Sequence, residues 1–151
     1  MRTFQKLSEL AALVGQEVAV SDWIPITQQQ VNLFAQATGD HQWIHVDVER
    51  ATHGPFGAPI AHGFLTLSLL PTFFASAMDV LDTRMGVNYG LNRVRFTAPV
   101  PVGSRLRARM TLLECKSIPD NGYQMTWNVT VEREGSDKPV CVAESLTRRY
   151  A

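Results

Sequence analysis

Two alternations of period two dominate the second half of the chain. Leu106, Ala108, Met110 and Leu112 alternate with Arg105, Arg107, Arg109 and Thr111, and Tyr123, Met125, Trp127, Val129 and Val131 alternate with Gln124, Thr126, Asn128, Thr130 and Glu132. Successive side chains of a strand leave opposite faces, so each run predicts a half-buried strand. Asn121-Gly122 predicts a turn between them, Gly135-Ser136 a turn after them, and Val140 to Tyr150 a last strand. Short turns of this kind make neighbouring strands antiparallel. An earlier strand falls near Glu17 to Trp23.

The first half follows a helical period instead. Thr27-Gln-Gln-Gln30 reads as a capping box, Val31, Phe34, Ala35 and Thr38 recur at helical spacing, and Gly39 stands where a left-handed C-cap belongs. Leu7 to Val14 predicts a first amphipathic helix, with Glu9 interrupting a run already too short for a secretion signal. Ala58 to Ala77 runs twenty residues with His62 as its only ionisable side chain. That length can cross a bilayer. Gly63 and Pro71 inside it, and the absence of flanking Lys or Arg clusters, point instead to a buried central helix. One apolar helix followed by antiparallel strands predicts an α+β fold, a sheet curled around the helix, as one domain spanning residues 1–151.

Composition narrows the partners. A chain of 151 residues buries about two-thirds of its unfolded surface and needs neither disulfide nor metal to hold a core. Fourteen basic residues offset fourteen acidic ones, so no global charge recruits nucleic acid or a membrane surface. Cys115 and Cys141 both fall in strand-like runs, as reduced core residues of a cytoplasmic protein do.

The candidate chemistry begins where the capped helix ends. Asp40 follows Gly39, and His45 lies five residues on. Beyond Asp40 the chain reads as extended or turn-like, with Ile44 and Val46 toward the core and His45 turned back toward Asp40. A carboxylate and an imidazole so placed can move protons between them and a shared water. Asp40 alone could equally be a turn former, and His45 alone a half-buried structural residue. His41 and His53 read as loop histidines. The cluster of Asp40, His41, His45, His53 and His62 matches no compact zinc spacing and has no cysteine near it, so no metal site is expected.

Three blocks resemble the MaoC-like family of (R)-specific enoyl-CoA hydratases and dehydratases. The first is Phe34 to Asp47, matching at Phe34, Thr38, Gly39, Asp40, Ile44, His45 and Asp47. Gln42 and Trp43 stand where the family pattern has Asn-Pro, so the polar role of that Asn falls to Gln42 or is absent. The second is Pro59-Ile-Ala-His62-Gly63, similar to the segment that opens the family's central helix. The third, Tyr89 to Gly103, is similar to the family's Arg-Phe strand and its Pro-Val-x-x-Gly sequel. The resemblance implies the hotdog fold, a homodimer with sheets side by side, and no metal or redox cofactor, coenzyme A being part of the substrate.

The activity implied is reversible hydration of trans-2-enoyl-CoA to (R)-3-hydroxyacyl-CoA. Asp40 and His45 would act on water, and the backbone N–H of Gly63, at a helix start, would hold the thioester oxygen. His62 and Gln42 join them as candidate substrate-binding residues, His62 also as a residue that orients the turn or caps the helix. No acidic residue interrupts Gly86 to Leu113, whereas Arg93, Arg95, Arg105, Arg107 and Arg109 all lie there. Arg95 and then Arg93 are the candidates for the phosphates of coenzyme A, and the alternating remainder reads as a solvated strand face. Two alternatives stay open: a 3-hydroxyacyl-acyl carrier protein dehydratase, and a non-catalytic subunit that binds acyl thioesters.

Overall fold

A computed structural model describes residues 1–151. In chain order it runs β1 (Arg2–Phe4), a 3-10 helix (Leu7–Leu13), β2 (Glu17–Val20), β3 (Ile24–Pro25), α1 (Gln28–Thr38), α2 (Trp43–Val46) and α3 (Val48–Thr52). There follow α4 (Gly63–Ser68), α5 (Leu70–Ala77), β4 (Met78–Val80), β5 (Met85–Arg95), β6 (Arg105–Ile118), β7 (Gly122–Arg133) and β8 (Cys141–Tyr150). A six-stranded antiparallel sheet has the order β2-β6-β7-β8-β5, with β3 also on β6. β1 and β4 form a separate parallel pair that no local pattern announces.

The two alternating runs became β6 and β7. Leu106, Ala108, Met110, Leu112, Met125, Val129 and Val131 are each 0% exposed, and Trp127 is 1% exposed. Their shared face lies against Phe73, Phe74 and Ala77 of α5, with the Phe74 and Trp127 rings edge to face at 5.2 Å. This is the hotdog arrangement that the resemblance implied.

Three local expectations need correction. The central helix starts at Gly63, as expected, but does not run unbroken to Ala77: it is interrupted at Leu69, which ends α4 and begins α5. Pro71 lacks the N–H that would have bonded the Leu67 carbonyl, so the first turn after the break has no regular ladder there. Residues before Gly63 are taken instead by other segments, with Ile60 N–H donating to the Ile44 carbonyl at 3.0 Å and Ala61 N–H to that of Val100 at 2.8 Å. The β6–β7 turn is centred one residue earlier than Asn121-Gly122, its positive φ values falling on Asp120 (62°) and Asn121 (57°). The first helix is a 3-10 turn that buries only Leu7 and Leu10.

Candidate active site

The site is assembled around the end of α1. The Thr27 hydroxyl accepts from Gln30 N–H at 3.2 Å while the Gln30 side chain accepts from Thr27 N–H at 2.9 Å, which completes the expected capping box. Gly39 closes the helix with φ 80°, and its N–H donates to the Ala35 carbonyl at 2.8 Å. Asp40 therefore leaves at a defined point, and its Oδ1 accepts from Gln42 N–H at 3.3 Å.

The next residues are not extended. Trp43 to Val46 form one helical turn, so His45 is the buried member at 6% exposure, while Ile44 and Val46 are only half-buried. The turn closes locally, with His45 N–H donating to the Gln42 carbonyl at 3.0 Å and Asp47 N–H to that of Trp43 at 3.1 Å, and distant partners then hold His45 inward. Gln28 Nε2 donates to the His45 carbonyl at 2.8 Å, and His45 Nδ1 lies 2.6 Å from the Ile60 carbonyl. Gln28 carried no signal for this role in the sequence. Asp47, a motif residue, serves as N-cap of α3 by accepting from Arg50 N–H at 3.0 Å.

A carbonyl can only accept, so His45 Nδ1 carries the proton and Nε2 presents a bare lone pair. Burial is the main cause holding the His45 pKa below 6.5, with nearby His62 adding to it and the Ile60 bond and Asp40 opposing. A neutral imidazole with a free Nε2 is a base. His62 is 3% exposed and joins both halves of the pair. Its Nε2–H donates to the Asp40 backbone carbonyl at 2.9 Å, its ring stacks on His45 at 3.8 Å, and Phe34 packs against it at 4.8 Å. The Asp40 carboxylate, 52% exposed, stands 4.0 Å from His62 Nε2.

Polar atoms of Asp40, His45 and His62 lie within 4.8 Å of one another, a set that metals also use. Here one nitrogen of each imidazole is committed to a carbonyl, and the rings are stacked at 24°.

His45 and Gly63 line one cleft of about 360 Å³, together with Thr66, Phe96, Thr97 and Val140. Gly63 opens α4, where a first-turn N–H has no carbonyl to bond within the helix. Gln42 is exposed beside Asp40, and neither of the two lines this cleft.

Arg93 and Arg95 are not brought to the pair. They flank Val94, which packs on the core, so the pleat turns both outward. They line a separate hollow of about 430 Å³ with Asn128, Val142 and Glu144, and it meets the first cleft only at Thr97. Arg105, Arg107 and Arg109 behave as a solvated face, in ion pairs with Glu134, Glu132 and Glu17.

The family described as MaoC like domain matches residues 9–134. The chain belongs to this family. It is 56% identical over 151 residues, covering all of both chains, to 3-hydroxyacyl-thioester dehydratase Z of Mycobacterium tuberculosis (strain ATCC 25618 / H37Rv). It is 49% identical over 139 residues to Nodulation protein N of Rhizobium meliloti (strain 1021), covering 91% of this chain and 86% of that one. Among solved structures it is similar to the unliganded R-Hydratase PhaJ1 from Pseudomonas aeruginosa, with a TM-score of 0.68 and 27% identity over 91% of this chain and 81% of that one.

Proposed function

We propose that this protein adds water reversibly across the double bond of a trans-2-enoyl-CoA, giving the (R)-3-hydroxyacyl-CoA. The observation that carries this reading is the pairing of a half-exposed carboxylate with a neutral imidazole whose Nε2 is bare because Ile60 holds Nδ1–H. Both groups accept, so one water can donate to Asp40 and to His45 at once. As the water oxygen bonds to the β carbon, its proton passes to the pair. The double-bond electrons move onto the thioester oxygen, where the Gly63 N–H meets the developing charge. The proton held by the pair then goes to the α carbon, and the reverse sequence expels water. No step calls for a redox group or a metal. His62 supports the pair from behind, and Gln42 faces the ligand beside Asp40.

Membership of the family and the dehydratase named among its near relatives support the reaction class. For the carrier, Arg93 and Arg95 offer guanidinium groups without an ion-pair partner in the chain, reached from the cleft over Thr97. They would pair with the phosphates of coenzyme A. The same arginines would also meet an acidic carrier protein, which favours a 3-hydroxyacyl-carrier dehydratase as the second reading.

Two copies pair along β5 in this proposal. That strand is bonded only to β8, and it exposes Met85 (52%), Val87 (43%), Tyr89 (53%) and Leu91 (46%). No helix is long and apolar enough to cross a membrane, and the free thiols Cys115 and Cys141 fit a reducing cytoplasm.

Loss of the conjugated enoyl-thioester absorbance, followed with trans-2-enoyl groups on coenzyme A and on a carrier protein, tests the assignment. The expected result is (R)-3-hydroxyacyl-CoA formed by the wild type and not by Asp40→Asn. Tight binding without turnover by the isolated chain would make it a non-catalytic subunit.

A further inference from the structure

Gly63 has a neighbour that the proton chemistry leaves unused. A Cβ placed on Gly63 would fall 2.8 Å from Phe96 Cδ2, 2.9 Å from Cγ and 3.0 Å from Cε2. Less than one carbon atom fits between the glycine and the ring. Phe96 follows the last residue of β5 and lines the same cleft as His45. It is 44% exposed; its ring meets Phe64, itself 66% exposed, edge to face at 5.9 Å, and the backbone beside it is fixed by the Thr97 N–H, which donates to the Val140 carbonyl at 3.1 Å. The ring therefore stands as a wall against Gly63, with Phe64 beside it.

We propose that Phe96 determines specificity by barring acyl thioesters that carry a branch on the carbon next to the thioester carbonyl. The inference rests on the reading that the Gly63 N–H holds the thioester oxygen. With the oxygen there, the carbonyl carbon and its α carbon lie alongside the Gly63 backbone, next to the ring. A flat, unbranched enoyl group slides past an aromatic face at van der Waals distance. A methyl on the α carbon needs the depth that the ring occupies. A misfit of one methyl in an apolar site changes discrimination by about tenfold or more.

The test compares trans-2-butenoyl-CoA with trans-2-methyl-2-butenoyl-CoA. A methyl also changes intrinsic reactivity, so the informative quantity is how the ratio of kcat/KM values shifts between proteins. Phe96→Ala should lower the unbranched-to-branched ratio by about tenfold, with Phe96→Leu between it and the wild type. An unchanged ratio in folded Phe96→Ala overturns the proposal. Gly63→Ala keeps the N–H but drives a methyl into the ring, so it should lose activity that the Gly63→Ala, Phe96→Ala double variant regains. Absence of any recovery likewise counts against the wall. Should the wild type hydrate neither thioester, the proposed reaction fails, and the wall is read from binding alone. The ratio of dissociation constants for butyryl-CoA and isobutyryl-CoA should then narrow in Phe96→Ala, and an equal ratio in both proteins refutes it.

Discussion

From Leu106 to Leu112 on β6 and Met125 to Val131 on β7 every second side chain is sealed from water, with Thr126 the one polar residue buried among them; between Gly39 and Gly63 the buried groups include two imidazoles in contact with each other. The sheet region is held by apolar area and a long ladder of backbone hydrogen bonds, shifted in register once between Leu112 and Glu114. The other region is held by single side-chain bonds to distant carbonyls: Gln28 to His45, His45 to Ile60 and His62 to Asp40. The first design resists displacement because each residue touches many others. The second gathers Asp40, His45 and His62 within 4.8 Å of one another, and each depends on one or two contacts. Substitutions should therefore cost stability in one region and turnover in the other.

The sharpest test of that division is Trp127→Ala. Removing this fully buried ring should cost about 3–5 kcal/mol of unfolding free energy and lower the thermal midpoint accordingly. A loss under about 1 kcal/mol in denaturant unfolding would mean that the sheet core is not the main support.

Asp40→Asn and His45→Gln come next, each lowering turnover by on the order of a hundredfold, about 2.7 kcal/mol at the transition state, while the midpoint moves only a few degrees. Near-normal turnover in a folded double variant would break the comparison from the other side.

Acid should act through the site region as well. Because the folded chain holds the His45 pKa below 6.5, it resists a proton that the unfolded chain accepts near 6.5. This contribution to stability is present above pH 6.5 and is lost as pH falls through the folded value. Turnover should stay level through pH 6.5 and decline only as pH falls through the lower folded value, and the midpoint should drop less between pH 7.5 and 5 in His45→Gln than in the wild type. A pH-rate profile with differential scanning supplies both readings.

The smallest effect belongs to the outer face of the sheet. Arg109 bonds Glu132 at 2.7 Å and Glu17 at 3.1 Å with its side chain 39% exposed. Arg109→Gln should cost under about 1 kcal/mol, and added salt should shrink the difference. A larger loss, insensitive to salt, would place part of the stability on the wet face.

How much of this was legible follows from where each residue's partners lie. The sheet faces were readable because a strand's period shows within a few neighbours, and the α1 caps were readable because Thr27, Gln30 and Gly39 act on adjacent backbone. The inward hold on His45 was not, since Gln28 and Ile60, at opposite ends of the region, supply it. Arg93 and Arg95 sit in the right block, yet their direction depends on which face of β5 Val94 packs. His62 was visible as a motif residue, but its contact with both Asp40 and His45 exists only once α1, α2 and α4 meet.

By itself the chain determined the alternating faces, the helix caps, the apolar helix segment and the family motif, because each depends on chemistry within one turn or one strand. The tertiary structure alone decided that His45 is buried with its Nδ1 occupied, that Asp40 and His45 share His62, and that Phe96 stands against Gly63. Those contacts join residues 15 to 33 positions apart, and their geometry depends on packing between elements that no local period encodes.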